Sequence, residues 1–264
     1  MIKAEKLSFS YEENKVLKDI NFNLKKGELS CLLGANGSGK TTIIKCLNGI
    51  NKYNSGHIKI DNINLSQLNN KKIARKVSMV PQEHNSTFSY KAIDIVIMGI
   101  TPYLSFGSQA NKKDYNRAKE ILKKLGISNL AQRNYNKLSG GERQLVLIAR
   151  AIMQDTDYML LDEPSSHLDF KNKHLIMREL KKLSTRGNGI ITALHDPNLA
   201  IKYCDKVIII KAGEILEQGK TADVMNAENL SRAYDSEIVI NEISNEVEII
   251  FKDESKIKDV KEVI

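Results

Sequence analysis

Apolar positions along this chain change their spacing several times, and the changes divide it into elements. Ile2–Leu7 and Val16–Leu24 alternate in part and predict short strands, and the run from Glu28 to Leu33 predicts another. Thr42 to Asn48 reads as a helix stopped by Gly49. Gly56–Ile60 and Val77–Val80 are strand-like again. Between Ala92 and Gln154 the spacing turns helical. Ala118, Ile121, Leu122 and Leu125 form one face before Gly126, and Leu145, Ile148, Ala149 and Ile152 another, in a helix starting near Glu142. Strands return at Tyr158–Leu161, Gly189–Leu194 and Lys206–Ile210, with a helix over Lys173–Leu183 between the first two. Glu237–Ile243 and Glu246–Phe251 predict a small hairpin around Ser244 and Asn245, followed by a charge-rich helix or frayed tail over 252–264. Strands alternating with helices predict an α/β domain whose mainly parallel sheet is covered on both faces.

Composition narrows this only a little. The chain has 264 residues, of which 41% are hydrophobic and 27% charged, enough for a sizeable core. No segment approaches the roughly 20 apolar residues that span a bilayer, and the first residues carry no apolar leader, so a cytoplasmic protein is expected. The net charge is +8, but the lysines are scattered rather than striped, which is weak support for an acidic partner. Cys31, Cys46 and Cys204 are too few and too dispersed for a disulfide framework or a metal site.

Chemistry enters at residues 34–41, which read Gly-Ala-Asn-Gly-Ser-Gly-Lys-Thr between a predicted strand and a predicted helix. This satisfies the phosphate-loop pattern at Gly34, Gly39, Lys40 and Thr41. Glycines let the backbone close round an anion, successive N–H groups point inward, and the helix adds its positive end. Lys40 is expected to reach the β- and γ-phosphates and the Thr41 hydroxyl to hold Mg²⁺. Asn36, Gly37, Ser38 and Thr42 complete the nucleotide-binding set. A second signal is the apolar strand 158–161 ending in Asp162 and Glu163, carboxylates emerging where α/β sheets bind ligands. Asp162 suits Mg²⁺, and Glu163 suits orientation or deprotonation of water. A third is Leu138-Ser139-Gly140-Gly141-Glu142, a small turn opening a helix, which also suits an anion.

The phosphate loop, the Leu-Ser-Gly-Gly-Glu run and the strand-Asp-Glu, in that order, resemble the ATP-binding-cassette (ABC) ATPases over about residues 1–225. The resemblance implies a P-loop NTPase (RecA-like) α/β fold, with a mainly parallel sheet, an N-terminal antiparallel β part and an inserted helical lobe. It divides the chain into a nucleotide-binding core at 1–85 and 156–225, a lobe at about 86–155 and a small C-terminal extension at 226–264. Tyr11 matches the aromatic residue that stacks on adenine, and Gln82 the glutamine linking the Mg²⁺ site to the lobe. Asp169 matches the loop that crosses between partner ATPases, and His195 the histidine that contacts the γ-phosphate. The cofactors implied are ATP and Mg²⁺, and the enzyme implied is an ATPase. Two copies would pack head to tail, so Ser139, Gly140 and Gly141 would act on the partner's nucleotide.

Within that family, Pro81-Gln82, the segment Ala92–Gly99 and Thr101-Pro102-Tyr103-Leu104 look like the importer branch serving iron-siderophore, haem and cobalamin permeases. Relatives carrying oxyanions such as molybdate look similar. The resemblance implies a peripheral subunit on the cytoplasmic face of the membrane, bound to permease subunits and indirectly served by a substrate-binding protein. An exporter ATPase or a non-transport ABC ATPase is the competing reading. A single phosphate loop and the absence of long coiled-coil insertions weigh against the second, and no nucleic acid is expected as a partner. Two residues depart from the family pattern: His167, where a smaller residue is usual, and Leu145, where Arg or Lys is common.

Overall fold

The computed structural model describes residues 1–82, 89–166, 168–243 and 246–251. In chain order the elements are β1 (Ile2–Tyr11), β2 (Asn14–Leu24), β3 (Leu29–Leu33), α1 (Lys40–Leu47), β4 (Ser55–Ile60), β5 (Ile63–Asn64), α2 (Asn70–Lys76) and β6 (Val77–Val80). There follow α3 (Ala92–Ile97), α4 (Lys112–Lys124), α5 (Gly140–Gln154), β7 (Tyr158–Leu161), α6 (Phe170–Thr185), β8 (Gly189–Leu194) and α7 (Pro197–Tyr203). The chain continues with β9 (Lys206–Lys211), β10 (Glu214–Lys220), α8 (Thr221–Val224), α9 (Ala227–Tyr234), β11 (Ile238–Ile243) and β12 (Glu246–Phe251).

Strands β2-β1-β4-β5 make an antiparallel sheet, and β10-β9-β3-β8-β7-β6 a larger one that is parallel except for β10. The strands of the larger sheet alternate between two cores, as a period-2 side-chain pattern requires. Leu29, Cys31, Leu33, Met159, Leu161, Ile190, Leu194, Val207 and Ile209 join the cluster that also holds the apolar faces of α3–α6. Leu32, Tyr158, Leu160, Ile191, Ala193, Ile208 and Ile210 join the cluster shared with β1, β2, β4 and α1. Both faces of these strands are covered, so their sequences are apolar at consecutive positions.

The predicted strands and helices appear with shifted ends. β1 runs on to Tyr11 instead of stopping at Leu7. Lys6 has φ 48°, and the pairing with β2 slips between Ala4 and Leu7 and again around Phe9, so Leu7, Ser8 and Phe9 are all buried and the alternation is lost. β10 is an edge strand of mostly polar residues, which periodicity does not reveal. β11 and β12 form the expected hairpin. Its turn at Ser244 and Asn245, the 252–264 stretch and the His167 departure lie outside the described residues. The Leu145 departure is packing: that side chain is buried in the core beneath α5.

Candidate active site

The chemical signals lie at the carboxyl ends of adjacent parallel strands. Gly34 follows β3, His195 follows β8, Asp162 follows β7, and Gln82 comes two residues after β6, in the strand order β3-β8-β7-β6. Open α/β sheets bind ligands at this edge. The Asp162 N–H extends the β6–β7 ladder by one bond, to the Val80 carbonyl at 2.9 Å, which brings Gln82 beside residue 163.

The phosphate loop is held on both flanks. A Cβ on Gly34 (φ 153°) would stand 2.2 Å from the Ile210 carbonyl oxygen, so β9 leaves room only for glycine there. The Ser38 carbonyl accepts from the Gly213 N–H at 3.1 Å, and the Gly213 carbonyl from the Lys18 N–H at 2.9 Å. Gly39 (φ 111°) caps α1 without any side chain, so the first-turn N–H groups receive no side-chain cap. Ser38 Oγ is buried with no hydrogen-bond partner among the described residues, an orphaned polar atom inside the loop that suits an anionic ligand. Lys40 Nζ donates to the carbonyls of Gly34 at 2.7 Å and Ala35 at 2.9 Å. Burial holds its amine below the ordinary lysine value, opposed by the nearby Glu163 and Asp162 charges. Asn36 and Gly37 are exposed at the loop tip, and Thr42 is buried in α1.

Thr41 Oγ1 donates to Asp162 Oδ1 at 2.9 Å, joining loop and strand end. Burial pushes the Asp162 carboxyl above the usual carboxylate range, with the neighbouring Glu163 charge adding to it and the Thr41 bond opposing it. A hydroxyl beside a carboxylate is a hard-oxygen pair that fits Mg²⁺, with phosphate oxygens and water completing the shell. Among the described residues no group of three or more His, Cys, Asp and Glu side chains has an arrangement that could hold a metal ion.

Glu163 leaves the strand in a left-handed conformation, φ 49°. A non-glycine residue there costs about 1–3 kcal/mol, strain that tends to collect at functional positions. Gln82 Nε2 donates to Glu163 Oε2 at 2.9 Å, and His195 Nε2 lies in close contact with Glu163 Oε1. The structure therefore joins Gln82, Glu163 and His195 in one chain, beside Asp162 and Thr41.

Other predicted residues lie apart from this cluster. Tyr11 is 47% exposed, packs edge-on against Phe9 and accepts from Asn51 Nδ2 at 3.0 Å. Ser139 is the N-cap of α5: its Oγ accepts from the Glu142 N–H at 3.2 Å, and its own N–H donates to Glu142 Oε2 at 2.8 Å. That capping box encloses Gly140 and Gly141, and Glu142 also pairs with Arg133 at 2.8 Å. Asp169 caps α6 by accepting from the Asn172 N–H at 2.8 Å. Among the described residues no hydrogen bond links Ser139 or Asp169 to the phosphate loop. Sequence reasoning missed Tyr234, at the end of α9, whose hydroxyl donates to the His195 carbonyl at 3.4 Å. No periodicity or motif marks it.

Residues 17–166 match the family described as ABC transporter. An uncharacterized ABC transporter ATP-binding protein of Methanocaldococcus jannaschii is 36% identical over 244 residues, 92% of this chain and 94% of the relative. The hemin import ATP-binding protein of Hahella chejuensis is 34% identical over 241 residues, 89% of this chain and 92% of the relative. A solved dimeric ATP-binding cassette, in a post-hydrolysis state with ADP and phosphate, aligns with a TM-score of 0.76 at 30% identity, covering 84% of this chain and 99% of that one.

Proposed function

The chain belongs to the ABC transporter family as an ATP-hydrolysing cassette, and from that premise we propose that it energises an importer of an iron-siderophore, haem or cobalamin type compound. The observation that carries the catalytic part is the Gln82–Glu163–His195 chain at the mouth of the phosphate loop. Lys40, Ser38 and the α1 N-terminus hold the phosphates, and Tyr11 offers its ring to adenine. Thr41 and Asp162, with Gln82, would hold Mg²⁺, which when bound would offset phosphate charge. Glu163 takes the proton of the attacking water at a carboxylate oxygen, and the Gln82 hydrogen bond and the His195 contact fix where that oxygen points. His195 Nε2, against Glu163 Oε1, is placed to turn towards the γ-phosphate.

A second copy supplies Ser139, Gly140, Gly141 and Asp169 across the nucleotide. The similarity to a solved dimeric cassette supports that reading. The α5 N-terminus then meets the partner's γ-phosphate, so ATP closes the dimer and hydrolysis releases it. The permease surface includes the 3-10 turn Met98–Tyr103 and the residues after it, where Met98, Tyr103 and Phe106 are exposed. No helix among the described residues is long and apolar enough to cross a membrane, consistent with a peripheral subunit at the cytoplasmic face. The hemin import relative supports the substrate class, with a substrate-binding protein delivering the cargo.

The test is co-expression with candidate permeases and purification in detergent, then vesicle uptake of haem, iron-siderophore, cobalamin, molybdate and phosphonate. Import of an iron chelate, haem or cobalamin supports the proposal. Uptake confined to the oxyanions overturns its substrate class. Recovery of nucleic acid without a membrane subunit overturns transport altogether.

A further inference from the structure

The Tyr234 hydroxyl reaches the backbone of the site. It donates to the His195 carbonyl oxygen at 3.4 Å and so ties α9 to the residue whose imidazole meets Glu163. Gly34 and His195 follow neighbouring parallel strands, in register at Leu33 and Leu194. The hydroxyl meets the chain one residue beyond that last ladder pair. Burial pushes it above its ordinary value, so it keeps its proton across the neutral range.

The C-terminal segment anchors this tyrosine on several sides. Lys211 Nζ, at the end of β9, donates to the Arg232 carbonyl at 2.6 Å and to Asp235 Oδ1 at 2.5 Å. The Ile238 N–H donates to Ser231 Oγ at 3.0 Å, fastening β11 to α9. The Ile249 N–H of β12 donates to Asn198 Oδ1 at 2.9 Å, and Asn198 lies in the first turn of α7, just after His195. The stretch following β8 is thus gripped from the hairpin and from α9.

We infer that Tyr234 is a positioning residue for ATP hydrolysis, its hydroxyl fixing the His195 backbone against α9 and so setting where the imidazole meets Glu163. This rests on the roles of Glu163 and His195 given above. It also gives the segment after residue 225 a task in the chemistry of its own subunit.

The test is Tyr234→Phe, which keeps the ring and deletes the hydroxyl, in the full chain with MgATP. A small misplacement of an acting group is felt in turnover more than in binding, so kcat should fall roughly three- to tenfold with KM changed by less than about twofold. Thermal unfolding serves as the control for packing. In a His195→Ala background the same change should have no further effect on kcat, because the two act through one group. An unchanged kcat in Tyr234→Phe beside an impaired His195→Ala overturns this inference alone. Losses that multiply in the double variant, or a change in unfolding temperature and KM together, overturn it in favour of a packing role. An unimpaired His195→Ala overturns the parent assignment as well.

Discussion

Replacing Glu163 by Gln tests the chemistry most directly, because the structure predicts that almost nothing else changes. The two side chains have the same shape. Glu163 accepts from Gln82 at Oε2 and contacts His195 Nε2 at Oε1. An amide can keep the His195 contact through its oxygen, and the Gln82 amide can turn over to accept from the new NH₂ group. Neither contact has to be lost, and the backbone at φ 49° is as costly for Gln as for Glu. Unfolding stability should therefore stay within about 0.5 kcal/mol, as for substitutions that break no packing or buried bond. The basic oxygen, however, is gone. General-base catalysis contributes roughly 100- to 10,000-fold, or about 3–5 kcal/mol of barrier at about 1.4 kcal/mol per tenfold. Phosphate release should fall by that factor, MgATP affinity should persist, and the variant should accumulate as an ATP-bound dimer by size exclusion. Full turnover would refute the general-base role. Loss of MgATP binding would refute the geometric argument that the site survives the change.

Two further outcomes follow from other parts of the molecule. Ser139→Arg removes the α5 cap, costing about 1 kcal/mol, which is about 2–4 °C in unfolding temperature for a chain of this order of size. It should block hydrolysis while the monomer still binds nucleotide; a monomer that no longer binds in an equilibrium titration would contradict the cross-dimer role. Asp61 gives a pH dependence. Burial raises its carboxyl, but bonds from Lys76 at 2.8 Å, the Met1 amine at 2.8 Å and Tyr158 at 2.7 Å outweigh that and hold it well below the ordinary 3.8. A depressed folded-state value stabilises above the unfolded value and loses that effect as pH falls. Asp61→Asn should cost about 1 kcal/mol near neutrality, with the gap to the parent closing below about pH 4 in urea titrations. A gap that is constant with pH would exclude the ionic origin.

The sequence carried the central strands because both of their faces are buried. Tyr158–Leu161 is apolar without a break and Gly189–Leu194 is broken only by Thr192, and each is followed by a polar residue where the chain leaves the sheet. Asp162 and Glu163 were legible for the same reason, since they sit one and two positions past such a run, while Gln82 and His195 were legible only through the family resemblance. Their adjacency was not legible. That Gln82 bonds Glu163 is decided by which strands are neighbours, a fact no local pattern contains. Asp169 illustrates a second limit. A residue matched to a loop that crosses between subunits also caps a helix in its own, and one carboxylate can do both. Tyr234 was invisible for a third reason. It meets the site through the His195 carbonyl, and backbone groups leave no signature in the sequence.

The left-handed backbone at Glu163 has a consequence for how this protein would evolve under selection. Glycine adopts that conformation freely, and asparagine tolerates it better than most residues, but neither supplies the carboxylate. Position 163 therefore sets comfort of the main chain against the chemistry of the side chain. In a library screened for heat resistance alone, Glu163→Gly should be enriched, and each survivor should be inert towards ATP. The residue that does the hydrolysis is one the fold, left to itself, would discard.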